Sequence, residues 1–143
     1  MIKGLNIRIY PTKEQEVLMR KHIGCMRFVW NWALDKQKKT YDEKGKILSV
    51  THLGKELTKL KKTEGYEWLY EVSNATLKES IRDLNKAYQK FFTGEGGKPK
   101  FKSKKKSEPR FYSRYDKVYF NKNVVNLEKI GKVKYRADYD IDL

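Results

Sequence analysis

One alternating segment near the N-terminus constrains the fold more than any other part of the chain. From Lys3 to Tyr10, Leu5, Ile7 and Ile9 fall on one face and Asn6, Arg8 and Tyr10 on the other, the period of a half-buried strand. A lone strand needs partners. The stretch after it reads as helix, and further strand patterns begin only about a hundred residues on. The chain is therefore expected to be α+β, with a helical insertion (12–93) between a first strand (1–11) and the remaining strands (94–143).

The two parts meet at Gly94–Ser107, which holds six lysines and one acid in fourteen residues. Three glycines and Pro99 open it, so it begins as a break in regular structure. Lys98, Lys100 and Lys102 alternate with Pro99, Phe101 and Ser103. An extended chain there would set three amines on one side, about 6.5–7 Å apart. That is near the phosphate spacing of a single nucleic-acid strand. A solvated basic loop is the competing reading.

Charge favours the first. Lys and Arg total 33 against 18 Asp and Glu, a formal net charge of +15. Such a field gathers polyanions. Nucleic acid is the leading partner. No lysine-rich helix has the strongly apolar opposite face that a membrane surface would require. With 6 Phe, 3 Trp and 10 Tyr the chain should fold, most of them filling a small core and some left to stack on bases. The one cysteine, Cys25, excludes an internal disulfide framework and reads as a core residue. His22 and His52 have no ligand-spaced neighbours, so no metal is expected. No apolar run suggests a membrane span or signal segment, which makes the cytoplasm the expected location.

Thr12 followed by Gln15 fits a capping box. The pattern predicts a helix over 13–23, an interruption at Gly24, and a second helix over 25–43 that buries Met26, Val29, Trp30 and Ala33. Gly45 should end it. A third helix spans 51–61 around Leu53, Leu57 and Leu60. A fourth starts at Ser73, with Leu77, Ile81, Leu84, Tyr88 and Phe91 as its apolar stripe. A second face of that helix carries Asn74, Lys78, Arg82, Asn85 and Gln89, which combine cations with amides able to meet base edges. Strands are expected at 110–115, 118–120, 124–127 and around Val133–Ala137, with a turn at 121–123. The acids Asp138, Asp140 and Asp142 read as solvated.

Four blocks resemble a known family. They are Ile7–Gln15; Arg27–Leu34; Ser80–Phe92 with Asp83-Leu84 and Ala87–Phe92; and Gly97–Lys104. In order and spacing they resemble the transposon-encoded OrfB, or TnpB, proteins over nearly the whole chain. The resemblance implies an RNA-guided DNA endonuclease akin to compact type V CRISPR effectors. Its N-terminal part would be a small antiparallel β-barrel, the wedge or OB-like domain, interrupted by a recognition bundle of about four helices. Together these would bind a guide RNA scaffold and a target-adjacent DNA motif. Cutting belongs in that family to a RuvC-like domain and zinc ribbon using Mg²⁺ and Zn²⁺. This sequence matches neither, and its tail acids do not match the separated catalytic acids. A binding module without catalytic residues, cofactor or metal is therefore expected: a fragment, a truncated copy, or a nuclease-dead regulator of transposition or transcription. Phosphate contacts are expected from Lys98, Lys100, Lys102, Lys104, Lys105 and Lys106, with Arg110 and Arg114. The resemblance places motif reading at Asn74, Lys78 and Arg82, with Tyr41 a further candidate. The partners implied are guide RNA, target DNA and a transposon-encoded full-length nuclease or transposase.

Overall fold

The computed structural model describes residues 6–106, 109–113 and 118–136. Strand β1 (Arg8–Tyr10) leads through Pro11 into helix α1 (Lys13–Lys44). Then come α2 (Val50–Lys61), a 3-10 turn (Glu67–Glu71) and α3 (Asn74–Phe92). Three strands close the described chain: β2 (Tyr119–Phe120), β3 (Val124–Leu127) and β4 (Gly131–Arg136).

The capping box forms as the sequence predicts. Thr12 Oγ1 accepts from the Gln15 N–H at 3.2 Å, and Gln15 Oε1 accepts from the Thr12 N–H at 2.9 Å. Gly45 ends α1 in the left-handed region at φ 70°, which glycine adopts without a Cβ clash. The expected break at Gly24 is absent, so among the described residues there are three α-helices and not four. Glycine keeps its N–H and costs a helix interior only about 1 kcal/mol relative to alanine. Burial offsets that. Met19, His22, Cys25, Val29, Ala33 and Gln37 are all buried and follow at steps of three or four residues straight past Gly24. Two of these are polar, which is why the stripe is invisible to an apolar-only pattern.

The sheet has order β1-β4-β3-β2, each neighbouring pair antiparallel. Arg8 pairs with Arg136 and Tyr10 with Lys134, joining the two ends of the described chain. β1 and β2 are the outer strands, so the sheet is open, and the expected closed barrel is overturned. Closure needs first and last strands long and sheared enough to pair. Here β1 has 3 residues and β2 has 2, both already paired on their inner sides. No strand lies at 111–113; the rest of the strand expected at 110–115 falls mostly outside the described residues.

At 32 residues, α1 is about 48 Å long and serves as a spine for two cores. Near its start Met19 packs with Val125 and Val133 of the sheet and with Ile130 of the β3–β4 turn. From Cys25 onward it packs with Leu53 and Leu57 of α2 and with Leu77, Ile81 and Leu84 of α3. His22 sits at the seam, 1% exposed. Its Nδ1 lies 2.7 Å from the Leu18 carbonyl and must donate, so Nε2 accepts the Ser73 N–H at 3.3 Å. Ser73 stands at the N-cap of α3, but its hydroxyl donates to Glu128 at 2.9 Å instead of capping. From the same β3–β4 turn, Lys129 donates to the carbonyls of Tyr70 (2.8 Å) and Val72 (3.2 Å). The turn thus grips the chain where it enters α3. Cys25 is buried, and burial pushes its thiol up to about 11, as suits an inert core residue. Among the described residues no helix is long and apolar enough to cross a membrane.

Candidate nucleic-acid interface

The chain returning from α3 to the sheet lies across α1 and is clamped there. The Trp30 indole N–H donates to the Lys100 carbonyl at 2.9 Å. Asn31 bonds Lys102 twice: Nδ2 donates to its carbonyl and Oδ1 accepts its N–H, both at 2.8 Å. A side-chain amide here offers what a neighbouring strand would offer, one donor and one acceptor to one residue. Gln37 repeats the device on Leu48, holding the loop between α1 and α2 at 3.0 and 2.8 Å. Pro99 is buried beneath the segment. Further on, the Tyr112 N–H meets Met26 Sδ at 3.2 Å, and its carbonyl accepts from the Thr76 hydroxyl.

The backbone is thus held while most of its amines face water. Lys98, Lys100, Lys104, Lys105 and Lys106 are exposed, and none is in an ion pair among the described residues. Lys102 differs. Its ammonium lies over the Trp30 ring at 4.0 Å. Burial lowers its pKa, Arg110 adds to that and Asp83 opposes it. The expected row of three equivalent amines is therefore two exposed amines and one folded inward. Arg110 is exposed; Arg114 lies outside the described residues.

Two grooves flank α3. The first, about 350 Å³, lies between α2 and α3 and is lined by Thr51, Lys55, Thr58, Lys78 and Arg82 among others. Arg82 is 3.4 Å from Glu79, a partly solvated pair one turn away. Lys55 and Lys78 have no carboxylate within 4.0 Å among the described residues. Asn74 stands at the start of α3, its amide oxygen accepting from Lys61 at 3.1 Å. Lys61 is itself buried, its ammonium 4.4 Å from the Tyr70 ring. Its pKa is lowered by burial first, then by Lys129 and Lys78. Cations therefore crowd the start of α3.

The second groove, about 460 Å³, lies between α3, α1 and the returning segment. Met26, Trp30, Glu79, Asp83, Lys86, Lys102 and Arg110 are among the residues that line it. Asp83 is raised in pKa by burial first and by Glu79, while Lys86, Lys102 and Arg110 pull the other way.

Of the residues singled out in the sequence, Lys78 and Arg82 share the first groove, with Asn74 one turn before them on α3. Lys102 and Arg110 share the second. Tyr41 lines neither; it packs on Phe92 with ring centroids 5.8 Å apart. Sequence reasoning missed Lys55, Lys61, Asp83 and the clamp made by Trp30 and Asn31. One signal was available for the clamp: Asn31 is an amide set between two tryptophans in an otherwise apolar band. Among the described residues no three His, Cys, Asp or Glu gather as a metal site.

Residues 1–46 match the family model of the OrfB helix-turn-helix domain of the IS605 type. In the structure this range holds β1 and the whole of α1, a single helix; the next turn and α2 begin at or beyond its end. A protein of Streptomyces pristinaespiralis that carries the provisional name RNA-guided DNA endonuclease is 34% identical over 105 residues, 73% of this chain and 26% of that protein. InsQ of Escherichia coli K12, provisionally named in the same way, is 27% identical over 135 residues, 94% of this chain and 34% of its own length. The chain thus spans about a quarter to a third of these two relatives. The virulence protein VsdF of Salmonella dublin is 26% identical over 111 residues, covering 73% of this chain and 89% of VsdF.

Proposed function

The N-terminal region of this chain is an OrfB-family region, and from that premise we propose that the chain is the nucleic-acid-binding module of a transposon-associated, RNA-guided DNA endonuclease. On this reading it holds a guide RNA scaffold and the DNA motif beside the target, and cutting is done outside these residues. The observation that carries the reading is the clamp. Trp30 and Asn31 fix the backbone of the returning segment, so its exposed amines are a positioned row of cations with no carboxylate partners among the described residues. Ordering the backbone in advance lowers the entropic cost of meeting a phosphate chain. The α2–α3 groove adds Lys55, Lys78 and Arg82 on a second surface, suited to a duplex beside the bound strand.

The test is salt dependence. Binding to a structured RNA should weaken with salt at a slope of about −0.7 per phosphate contact. Replacing Lys98, Lys104, Lys105 and Lys106 by alanine should flatten that slope by up to about 3. An affinity indifferent to salt would sink the reading. Mg²⁺-dependent cutting of target DNA by this chain with guide RNA would overturn the assignment of cutting elsewhere.

A second reading is favoured by VsdF, nearly all of which lies within the shared region. A short chain of this kind would act as a regulator that occupies guide RNA without cutting. Added to a full-length family nuclease, it should then slow DNA cleavage in proportion to the RNA it sequesters. Unchanged cleavage at saturating amounts would dismiss that role.

A further inference from the structure

The second groove is unlike the rest of the basic surface. Asp83 is half-buried on its wall, yet makes no hydrogen bond and no ion pair among the described residues. Three cations, Lys86, Lys102 and Arg110, are near enough to act on its charge, but none closes to 4.0 Å. Its oxygens reach solvent, so their acceptor sites are open to the donors of a ligand entering the groove. The groove's apolar lining comes from Met26, Ala87 and Phe111, while the Trp30 ring is already covered by the Lys102 ammonium at 4.0 Å. At about 460 Å³ the groove has the size of sites that enclose small ligands, about 300–1,000 Å³.

The three chemistries in this groove match three features of a nucleotide. Lys102 and Arg110 suit a phosphate, the apolar lining suits a base face, and a carboxylate suits a base edge rich in donors. An ionised carboxylate only accepts. Guanine alone presents two parallel N–H donors, N1–H and the 2-amino group, on its pairing edge. Cytosine and adenine offer one amino group there, and uracil one imino N–H. In a duplex that edge is occupied, so the base must be unpaired, as is usual where single strands are read. An arginine of a protein partner would offer a similar fork, but the cations around Asp83 oppose its approach.

We propose that this groove holds one unpaired guanine of a bound strand, its pairing edge on Asp83 and its phosphate on Lys102 and Arg110. The proposal rests on the nucleic-acid reading above and adds a base preference to a surface otherwise blind to sequence. Lys102, the one amine of its row folded inward, would then serve this nucleotide and not the outer phosphate track.

Fluorescence anisotropy on short labelled RNAs tests it. An oligouridine carrying one central guanine should bind about tenfold tighter than plain oligouridine, the scale of one two-donor base contact. Inosine in place of guanine, which lacks the 2-amino group, should lose most of that gain. Asp83→Asn should bring the guanine-to-uridine ratio to about one. Equal binding of guanine and uridine strands by the unaltered protein would overturn the inference, whatever the variant does. So would a preference that survives Asp83→Asn, since the carboxylate would then not be what reads the base. Failure to bind either strand would instead remove the nucleic-acid reading itself, and this inference with it.

Discussion

The two grooves beside α3 share a helix and differ in what faces it. Between α2 and α3, Lys55 and Lys78 stand without carboxylates within 4.0 Å among the described residues. Between α3 and the returning segment, Asp83 is set among Lys86, Lys102 and Arg110. A groove of one sign attracts any phosphate chain and distinguishes little. A groove holding both signs loses attraction but gains an acceptor for a particular donor pattern. Their walls differ as well. The first is helix against helix, built on a buried core. The second depends on a strip of chain without regular structure, held by two side chains of α1.

That difference in support gives the largest expected effect. Trp30→Ala removes a side chain only 8% exposed together with the bond to Lys100, and should cost about 3–5 kcal/mol in a denaturant melt. Asn31→Ala leaves the Lys102 N–H and carbonyl without their partner and should cost about 1–3 kcal/mol. Faster trypsin cleavage near Lys104–Lys106 should accompany it, with the helices spared. If the helices melt together with the segment, the two walls are not independently supported and the contrast fails.

Next in size is a change of binding alone. Lys55→Ala, Lys78→Ala and Arg82→Ala combined should flatten the salt dependence for duplex DNA by up to about 2.7, at about 0.9 per phosphate. The guanine-to-uridine ratio on single strands is the control, because it belongs to the other groove. A ratio that moves with these substitutions would merge the two surfaces into one.

The smallest effect concerns the seam that sets α3 between the grooves. His22 must stay neutral to accept the Ser73 N–H, and its pKa is lowered, first by burial and also by Lys129. Its folded value therefore lies below the usual 6.5. Stability from this group is full above the unfolded value of about 6.5. It falls as pH drops, because the unfolded chain takes the proton first, and is lost once pH passes the lowered folded value. One proton limits the slope to about 1.4 kcal/mol per pH unit. Denaturant midpoints between pH 7.5 and 5 should show the decline, and His22→Gln should flatten it. A decline of the same size in the variant would assign it to other groups.

Much of the helical part was legible. Thr12 and Gln15 form their capping box, Gly45 ends α1, and Leu77, Ile81, Leu84 and Tyr88 are buried on α3. These are local matters of capping, backbone angle and period, which near neighbours in sequence decide. Gly24 misled because glycine weakens a helix only modestly, and the buried stripe that carries α1 through it includes the polar His22 and Gln37. The barrel misled because resemblance proposes a topology, while closure depends on strand length and on whether the outer strands meet. Of the candidate site, the cations were visible but their company was not. Lys102 reads like its neighbours in the run until Trp30, some seventy residues earlier in the chain, is seen beneath it.

The sequence by itself determined the sign and density of charge, the helices with their caps, and a basic strip joining a helical part to a sheet. Each of these depends on residues close together in the chain. Only the tertiary structure decided which amines face water and which are turned inward, that Asn31 would stand in for a strand, and that Asp83 would meet Lys102 and Arg110 across a groove. Those outcomes rest on contacts between distant segments, where burial strengthens electrostatics.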